Sequence, residues 1–334
     1  MVDPARLTQK IRAALAPCRL GDWPTPLEPA PALSRALGLA ALAIKREDRS
    51  SARCGGNKVR GLEFLLAGAC PPSPPFLPPA GTVFVTVGGT GSTHCLATAV
   101  HAATVSCRAA LAQFPQPDTA ASRAVSVACR ARAALVVRAR SRATLPLAVL
   151  AAWRGARALG PRRWIPGGGA HPRAVVGHFL AGLELAGQVD EPPDAIVLPL
   201  GTGSTAAGVA LAVSALGWPT RVMAVRVAPA LVANRWRTVR LARGAVRLLN
   251  RYGIGLSVPA SRSRLPVVVM DGLGLGYGHP TAQGEAVRLL AADHGLTLDP
   301  AYGAKALASL WQRATSDLQR VVFWHTFAVP VPEP

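Results

Sequence analysis

Lysine is nearly missing. The 334-residue chain carries it only at Lys10, Lys45, Lys58 and Lys305, and the remainder of its 37 basic residues are arginines. Acidic residues number only 17, which leaves a net charge of +20. An excess of that size ordinarily points to nucleic acid. Here the arginines are scattered, and their densest stretch, Arg130 to Arg163, has little of the aromatic interleaving on which bases stack. Heavy use of Ala, Arg, Gly and Pro instead reads as a bias of GC-rich coding. No specific nucleic-acid partner is expected, and general polyanion affinity stays open as a weaker alternative. Cysteine is also sparse. Cys18, Cys54, Cys70, Cys95, Cys107 and Cys129 form no CxxC pair and no Cys/His spacing, which excludes a zinc motif and leaves small buried hydrophobes of a reducing compartment. Cys54, beside a glycine pair, is the one placed to approach a site. No apolar run reaches membrane-spanning length, and Asp3, Arg6, Lys10 and Arg12 break up the N-terminus, so neither a span nor a signal peptide is expected. The expected location is cytoplasmic. With 50% apolar and 16% charged residues, the composition is that of a folded globular chain.

Against this background two glycine-rich segments stand out. In Gly55-Gly56-Asn57-Lys58-Val59-Arg60, two glycines and an asparagine deliver one of the four lysines to the first turn of a helix read from Val59, Leu62 and Phe64-Leu65-Leu66. In Gly201-Thr202-Gly203-Ser204-Thr205, a turn joins an apolar run, Ala195 to Leu200, to a helical run, Ala206 to Leu216. A glycine turn from strand to helix presents backbone N–H groups and a positive helix end to phosphate. A desolvated lysine at a helix start is a Schiff-base amine in waiting. Together they predict pyridoxal phosphate, its aldehyde at Lys58 and its phosphate at Gly201, Thr202, Gly203, Ser204 and Thr205.

Strand-like and helix-like runs alternate through most of the chain. Thr82 to Val87 reads as a strand before the turn Gly88-Gly89-Thr90-Gly91 and a helix from Ser92 to about Ala103. Arg221 to Val227 and Val267 to Met270 are further strands. Alternating βαβ units predict an α/β protein with a mainly parallel sheet. Pro71 to Pro75 with Pro78-Pro79, Pro192-Pro193 and the tail Pro330 to Pro334 mark surface connections. A composition change across residues 141 to 170 places a domain boundary there. His101, His171, His178, His279 and His294 show no metal spacing and are read as ordinary; no metal is expected.

At this point the sequence resembles the pyridoxal-phosphate enzymes of the tryptophan synthase β-like fold type, in particular the D-cysteine desulfhydrase and 1-aminocyclopropane-1-carboxylate (ACC) deaminase group. The matching segments run in order along the chain. They are Ile44-Lys45-Arg46-Glu47-Asp48, the Lys58 motif, Ser92-Thr93-His94, Ile165 to Gly169, the Gly201 loop, Gly276-Tyr277-Gly278, Asp299-Pro300-Ala301-Tyr302 with Lys305, and Phe323-Trp324-His325-Thr326. The resemblance implies a two-domain fold, with residues 1–60 and 170–334 forming the large cofactor-binding domain and 61–169 a smaller α/β domain. It also implies a homodimer. Lys58 would carry the cofactor, with Asn57, Thr93 and Thr326 contacting it. Ser92, Thr93 and His94 would line the substrate-carboxylate side, and Tyr277 and Tyr302 would flank the reacting carbon, with Lys58, Ser92 and the two tyrosines as the catalytic set. The activity implied is α,β-elimination or deamination of a small amino acid, D-cysteine first.

Some positions depart from the group's pattern. Thr93 stands in place of an asparagine, Gly303 in place of a glutamate or threonine, Phe327-Ala328 in place of glycines, Arg49-Ser50-Ser51 in place of Leu-Thr-Gly, and Ala170-His171-Pro172 in place of a serine-asparagine step. Gly303 disfavours opening of the cyclopropane ring. The departures keep two alternatives open: a dehydratase or racemase on the same scaffold, and a cofactor-binding protein that has lost the reaction.

Overall fold

The computed structural model describes residues 2–67, 78–256, 265–313 and 318–327. The expected proline-rich connection at Pro71 to Pro75, the tail Pro330 to Pro334, Cys70 and Ala328 lie outside these residues. Ten strands and eleven α-helices among the described residues form two sheets. The larger sheet runs β1 (Leu27–Pro29), β2 (Ala41–Arg46), β10 (Arg320–His325), β7 (Ala195–Leu200), β8 (Arg221–Arg226) and β9 (Val267–Asp271). Its pairings are parallel apart from β1 with β2. The smaller sheet, parallel throughout, runs β5 (Leu135–Arg138), β4 (Arg108–Phe114), β3 (Val83–Gly89) and β6 (Arg162–Trp164). The helices are α1 (Pro4–Leu15), α2 (Pro31–Ala36), α3 (Lys58–Leu65), α4 (Thr93–Thr104), α5 (Ala120–Arg132), α6 (Leu145–Arg157), α7 (Pro172–Ala186), α8 (Ser204–Leu216), α9 (Arg235–Arg251), α10 (Ala282–Asp293) and α11 (Gly303–Trp311). None is long and apolar enough to cross a membrane.

Both sheets are covered on two faces, which is why their strands read as near-continuous apolar runs. Along β7 the side chains alternate. Ile196, Leu198 and Leu200 enter the core shared with α7, α8 and α9, while Ala195 and Val197 enter the core shared with α2, α10 and α11. Likewise Phe84 of β3 faces α4 and α5, and Val83 and Val85 face α6. The expected domain change between residues 60 and 61 falls inside α3, which packs on both α4 and α7.

Helix α7 fixes the relation between the two glycine segments. Its Gly177 sits against the Arg60 carbonyl of α3, and Gly208 of α8 sits against His178 of α7; a Cβ at either glycine would collide with these atoms. The starts of α3 and α8, where Lys58 and the Gly201 loop lie, are therefore registered on one helix. A buried ion cluster reinforces this. Glu184 of α7 accepts from Arg60 of α3 through both carboxylate oxygens, at 2.7 and 2.8 Å, and pairs with Lys45 of β2. Arg60 also donates to Glu47 and stacks on the Trp23 ring at 3.6 Å.

Candidate active site

The turn before Lys58 requires glycine twice. A Cβ on Gly55 would collide with the Asp48 carbonyl, and Gly56 has φ +125°, a conformation L side chains rarely adopt. Asn57, the residue before α3, donates its backbone N–H to the Thr326 carbonyl at 2.9 Å and its side-chain amide to Thr205 Oγ1 at 2.8 Å. The lysine segment, the end of β10 and the start of α8 thus meet at one residue.

Lys58 lies between two connected spaces. The inner pocket, narrow at about 20 Å3, is lined by Asn57, Lys58, Thr93, Gly201 to Ala206, Tyr302, Thr326 and Phe327. The outer cleft, about 530 Å3, is lined by Lys58 again with Ser92, Thr93, His94, Tyr277 and Tyr302. Every sequence-predicted site residue therefore borders one of these two spaces, and Lys58, Thr93, Gly201, Thr202 and Tyr302 border both. Their walls include the carboxyl ends of β3, β7 and β8, the place where open parallel sheets bind ligands. Burial lowers the Lys58 amine to a pKa of about 8.

The inner pocket ends at the start of α8. Ser204 and Thr205, expected in the loop, belong to the helix's first turn. The hydroxyl of Ser204 donates to the Gly169 carbonyl at 2.8 Å, that of Thr202 to the Gly168 carbonyl at 3.3 Å, and that of Thr205 accepts from Asn57. What remains for an anion is the row of first-turn N–H groups, which have no partner inside the helix. His178 is not an ordinary histidine: its Nε2 stands 3.5 Å from Thr205 Oγ1, behind the cradle, and burial, then Lys58, then Arg60 hold it neutral. Nothing in its spacing marked it, because its partner is on another helix.

Ser92 caps α4, its hydroxyl accepting from the Cys95 N–H at 3.3 Å. His94 pairs through Nε2 with Thr86 Oγ1 at 3.0 Å, leaves Nδ1 buried without a partner, and has its pKa pushed down to about 3 by burial and then by Lys58. It brings no positive charge to the cleft. Tyr302 donates to Tyr277 across 2.8 Å, and burial raises both phenols. Lys305 donates to the carbonyls of Leu273 and Gly276 and so holds the turn that carries Tyr277. Phe327 packs over Gly56 and borders the inner pocket, so the bulk expected there is present. At Gly303 a Cβ would stand 3.0 Å from an Asp299 carboxylate oxygen, so the side chain the group carries here would crowd that carboxylate. Cys54 does not join the site. It is buried in the core with Cys18 and Cys95, and its thiol is pushed up to about 12 by burial.

Asp299 sets Tyr302. Its carboxylate accepts from the N–H groups of Ala301 (3.1 Å), Tyr302 (2.6 Å) and Gly303 (2.8 Å), and burial raises its pKa from 3.8 to about 6 despite them. The raised value means that the folded state holds this proton more tightly than the unfolded one. The contribution is full below about pH 4 and is lost as pH rises through about 6. For catalysis the sign is opposite, since protonation weakens the acceptor that fixes Tyr302. Wild-type activity is expected to show an acid limb near pH 6, and Asp299→Asn to remove that limb and lower kcat about tenfold. An acid limb unmoved in the variant, read from a pH–rate profile, would assign it elsewhere.

A low-pKa amine and a helix-end anion cradle, opening on one cleft at the strand ends, define an enzyme that holds a phosphorylated carbonyl cofactor. Residues 18–326 match the family model described as "Pyridoxal-phosphate dependent enzyme", and the chain belongs to that family. It is 33% identical over 296 residues to nocardicin C-9' epimerase of Nocardia uniformis subsp. tsuyamanensis, covering 85% of each chain. It is 30% identical over 321 residues to D-cysteine desulfhydrase of Klebsiella pneumoniae subsp. pneumoniae, covering 92% of each. Among solved structures it is similar to an ACC deaminase homologue, at 27% identity and TM-score 0.79, covering 95% of this chain and 94% of that one. The α/β fold is that of the tryptophan synthase β-like pyridoxal-phosphate enzymes. The residues present fit the cofactor, with an amine for its aldehyde, backbone donors for its phosphate and the Thr326 hydroxyl at the pocket wall.

Proposed function

We propose that this chain, as a homodimer, removes the α-proton of an amino acid and expels a substituent from Cβ, with D-cysteine the leading substrate. With one water, D-cysteine would give a 2-oxo acid, ammonia and hydrogen sulfide. The observation that carries the proposal is the Lys58 amine, lowered to a pKa of about 8 at the junction of cradle and cleft. Pyridoxal phosphate, when bound, supplies an electron sink for the carbanion at Cα. Lys58 anchors it and, once displaced by substrate, takes the α-proton as general base. The N–H groups from Gly201 to Thr205 bind the phosphate, supported from behind by Asn57 and His178. Thr326 would contact the ring nitrogen and Thr93 the ring oxygen of the bound cofactor. Ser92, Thr93 and His94 receive the substrate carboxylate, the histidine as a neutral hydrogen-bonding group. The paired Tyr277 and Tyr302 hydroxyls flank the reacting carbon and relay a proton to the leaving group.

A second reading, epimerisation at Cα, is favoured by the nocardicin C-9' epimerase relative and by a cleft far larger than cysteine needs. Both readings begin with the same proton removal. They separate in D2O with D- and L-cysteine. Sulfide release supports elimination, and deuterium at Cα with inverted configuration and no sulfide supports epimerisation. Bound cofactor with neither outcome for any amino acid would make the chain a silent binder.

A further inference from the structure

We propose that the outer cleft is a binding site for the side chain of an amino acid substrate that has a long aryl or alkyl body ending in a carboxylate. This rests on the reading above that Lys58 removes an α-proton, and it names the substrate class for that same site.

The cleft does not stop at the reacting tyrosines. From Tyr302 the ring of Tyr277 follows at 6.1 Å between centroids and that of Phe114 at 5.9 Å, and the Arg142 guanidinium lies 5.6 Å over Phe114. A thiol on Cβ reaches only the start of this row. The remaining lining includes the apolar Leu145, Leu231 and Val232, and Leu231 is 85% exposed. At about 530 Å3 the space falls within the roughly 300–1,000 Å3 that serves a drug-sized ligand. A substrate of cysteine size would leave this apolar wall in water.

Two cations line this space, the exposed Arg142 and the half-buried Arg237. Arg142 comes from the loop between β5 and α6, beside the smaller sheet, and Arg237 from the first turn of α9, beside the larger. Among the described residues, neither guanidinium has a carboxylate within ion-pair distance, whereas Arg46, Arg60, Arg226 and Arg288 do. Two guanidinium groups without a carboxylate partner on the lining of one largely apolar cleft recognise an anion, and a carboxylate suits their planar forks. The ligand they describe has its amino-acid end at Lys58, an apolar body along the aromatic row and a carboxylate that reaches these arginines.

The test uses the cofactor-loaded protein and α-proton exchange in D2O, followed by proton NMR, which needs no leaving group. The probes are both enantiomers of alanine, 4-propylphenylalanine and 4-(2-carboxyethyl)phenylalanine, with D-cysteine alongside. The carboxylated compound is expected to exchange with kcat/KM at least tenfold above alanine and above its neutral match. Arg142→Gln and Arg237→Gln are each expected to reduce the carboxylated-to-neutral ratio about tenfold, through KM. Equal efficiency of the carboxylated and neutral compounds, or of the carboxylated compound and alanine, overturns the proposal while α-proton removal stands. A ratio unchanged in both variants overturns it in the same way. Absence of exchange from every amino acid, D-cysteine included, overturns the functional reading and this proposal with it.

Discussion

Lys58→Ala is expected to lose the visible absorbance of lysine-bound cofactor and to lower α-proton exchange by roughly 10³-fold, within the 10²–10⁴ that a positioned acid–base group contributes. The size of the effect follows from the scarcity of lysine. Of the other three amines, Lys45 is held by Glu184, Gln188 and the Thr25 carbonyl, and Lys305 by the carbonyls of Leu273 and Gly276. Lys10 is exposed on α1. None borders the cleft, so no second amine can substitute. A small primary amine added to the variant is expected to restore part of the exchange, because the anion cradle at α8 does not depend on the lysine. Wild-type exchange is expected to rise with pH in two steps, the lower near 6 from Asp299 and the upper levelling off above about 8, where the lowered amine has lost its proton. Retention of both the absorbance and the exchange in Lys58→Ala would remove this residue from the chemistry.

The part of this site legible in the sequence is the part made by local rules. A glycine turn between an apolar strand and a helix declares itself within a dozen residues, so β3 with α4 and β7 with α8 were read within a few residues of their bounds, Ser92 at the cap included. Lys58 was legible because lysine is rare and the two glycines before it have no other evident use. Residues that join the site through long-range packing were not legible. The strand Arg320 to His325 is absent from the strands read in the sequence, and its place between β2 and β7 is what brings Thr326 to Asn57. Arg142 and Arg237 are two of many arginines. His178 shows neither metal spacing nor a flanking motif, and its proximity to Thr205 exists only because Gly208 lets α7 and α8 approach. Phe114 was the missed residue with a usable signal: it ends a parallel strand, and ligands gather at such ends.

Glu184→Ala is expected to destabilise the protein by about 3–5 kcal/mol in urea unfolding, the cost of removing one partner from a buried ion pair. Lys45, Arg60, Glu47 and Glu184 form a charge-balanced cluster in which the Lys45 and Glu47 side chains are fully buried and those of Arg60 and Glu184 are 4% and 13% exposed. Without Glu184, two buried cations face one carboxylate. Burial alone would raise the Glu184 pKa, but Arg60 and Lys45 bring it below the ordinary 4.5. Its stabilising contribution is therefore present above about pH 4.5 and lost as pH falls through the folded value, and the variant should lose that acid dependence. Lys45→Met with Glu184→Ala restores a balanced pair of Arg60 and Glu47, and this double variant is expected to be more stable than Glu184→Ala alone. If the double variant is as unstable as the two single losses combined, the cluster contributes by hydrogen bonding and packing, not by charge balance. The consequence reaches the site because Arg60 stands two residues beyond Lys58 on the same helical turn. Glu184→Ala is therefore also expected to weaken cofactor retention at temperatures where the variant remains folded, measured by dialysis and visible absorbance. Unchanged retention would show that α3 holds the lysine in place without the cluster beneath it.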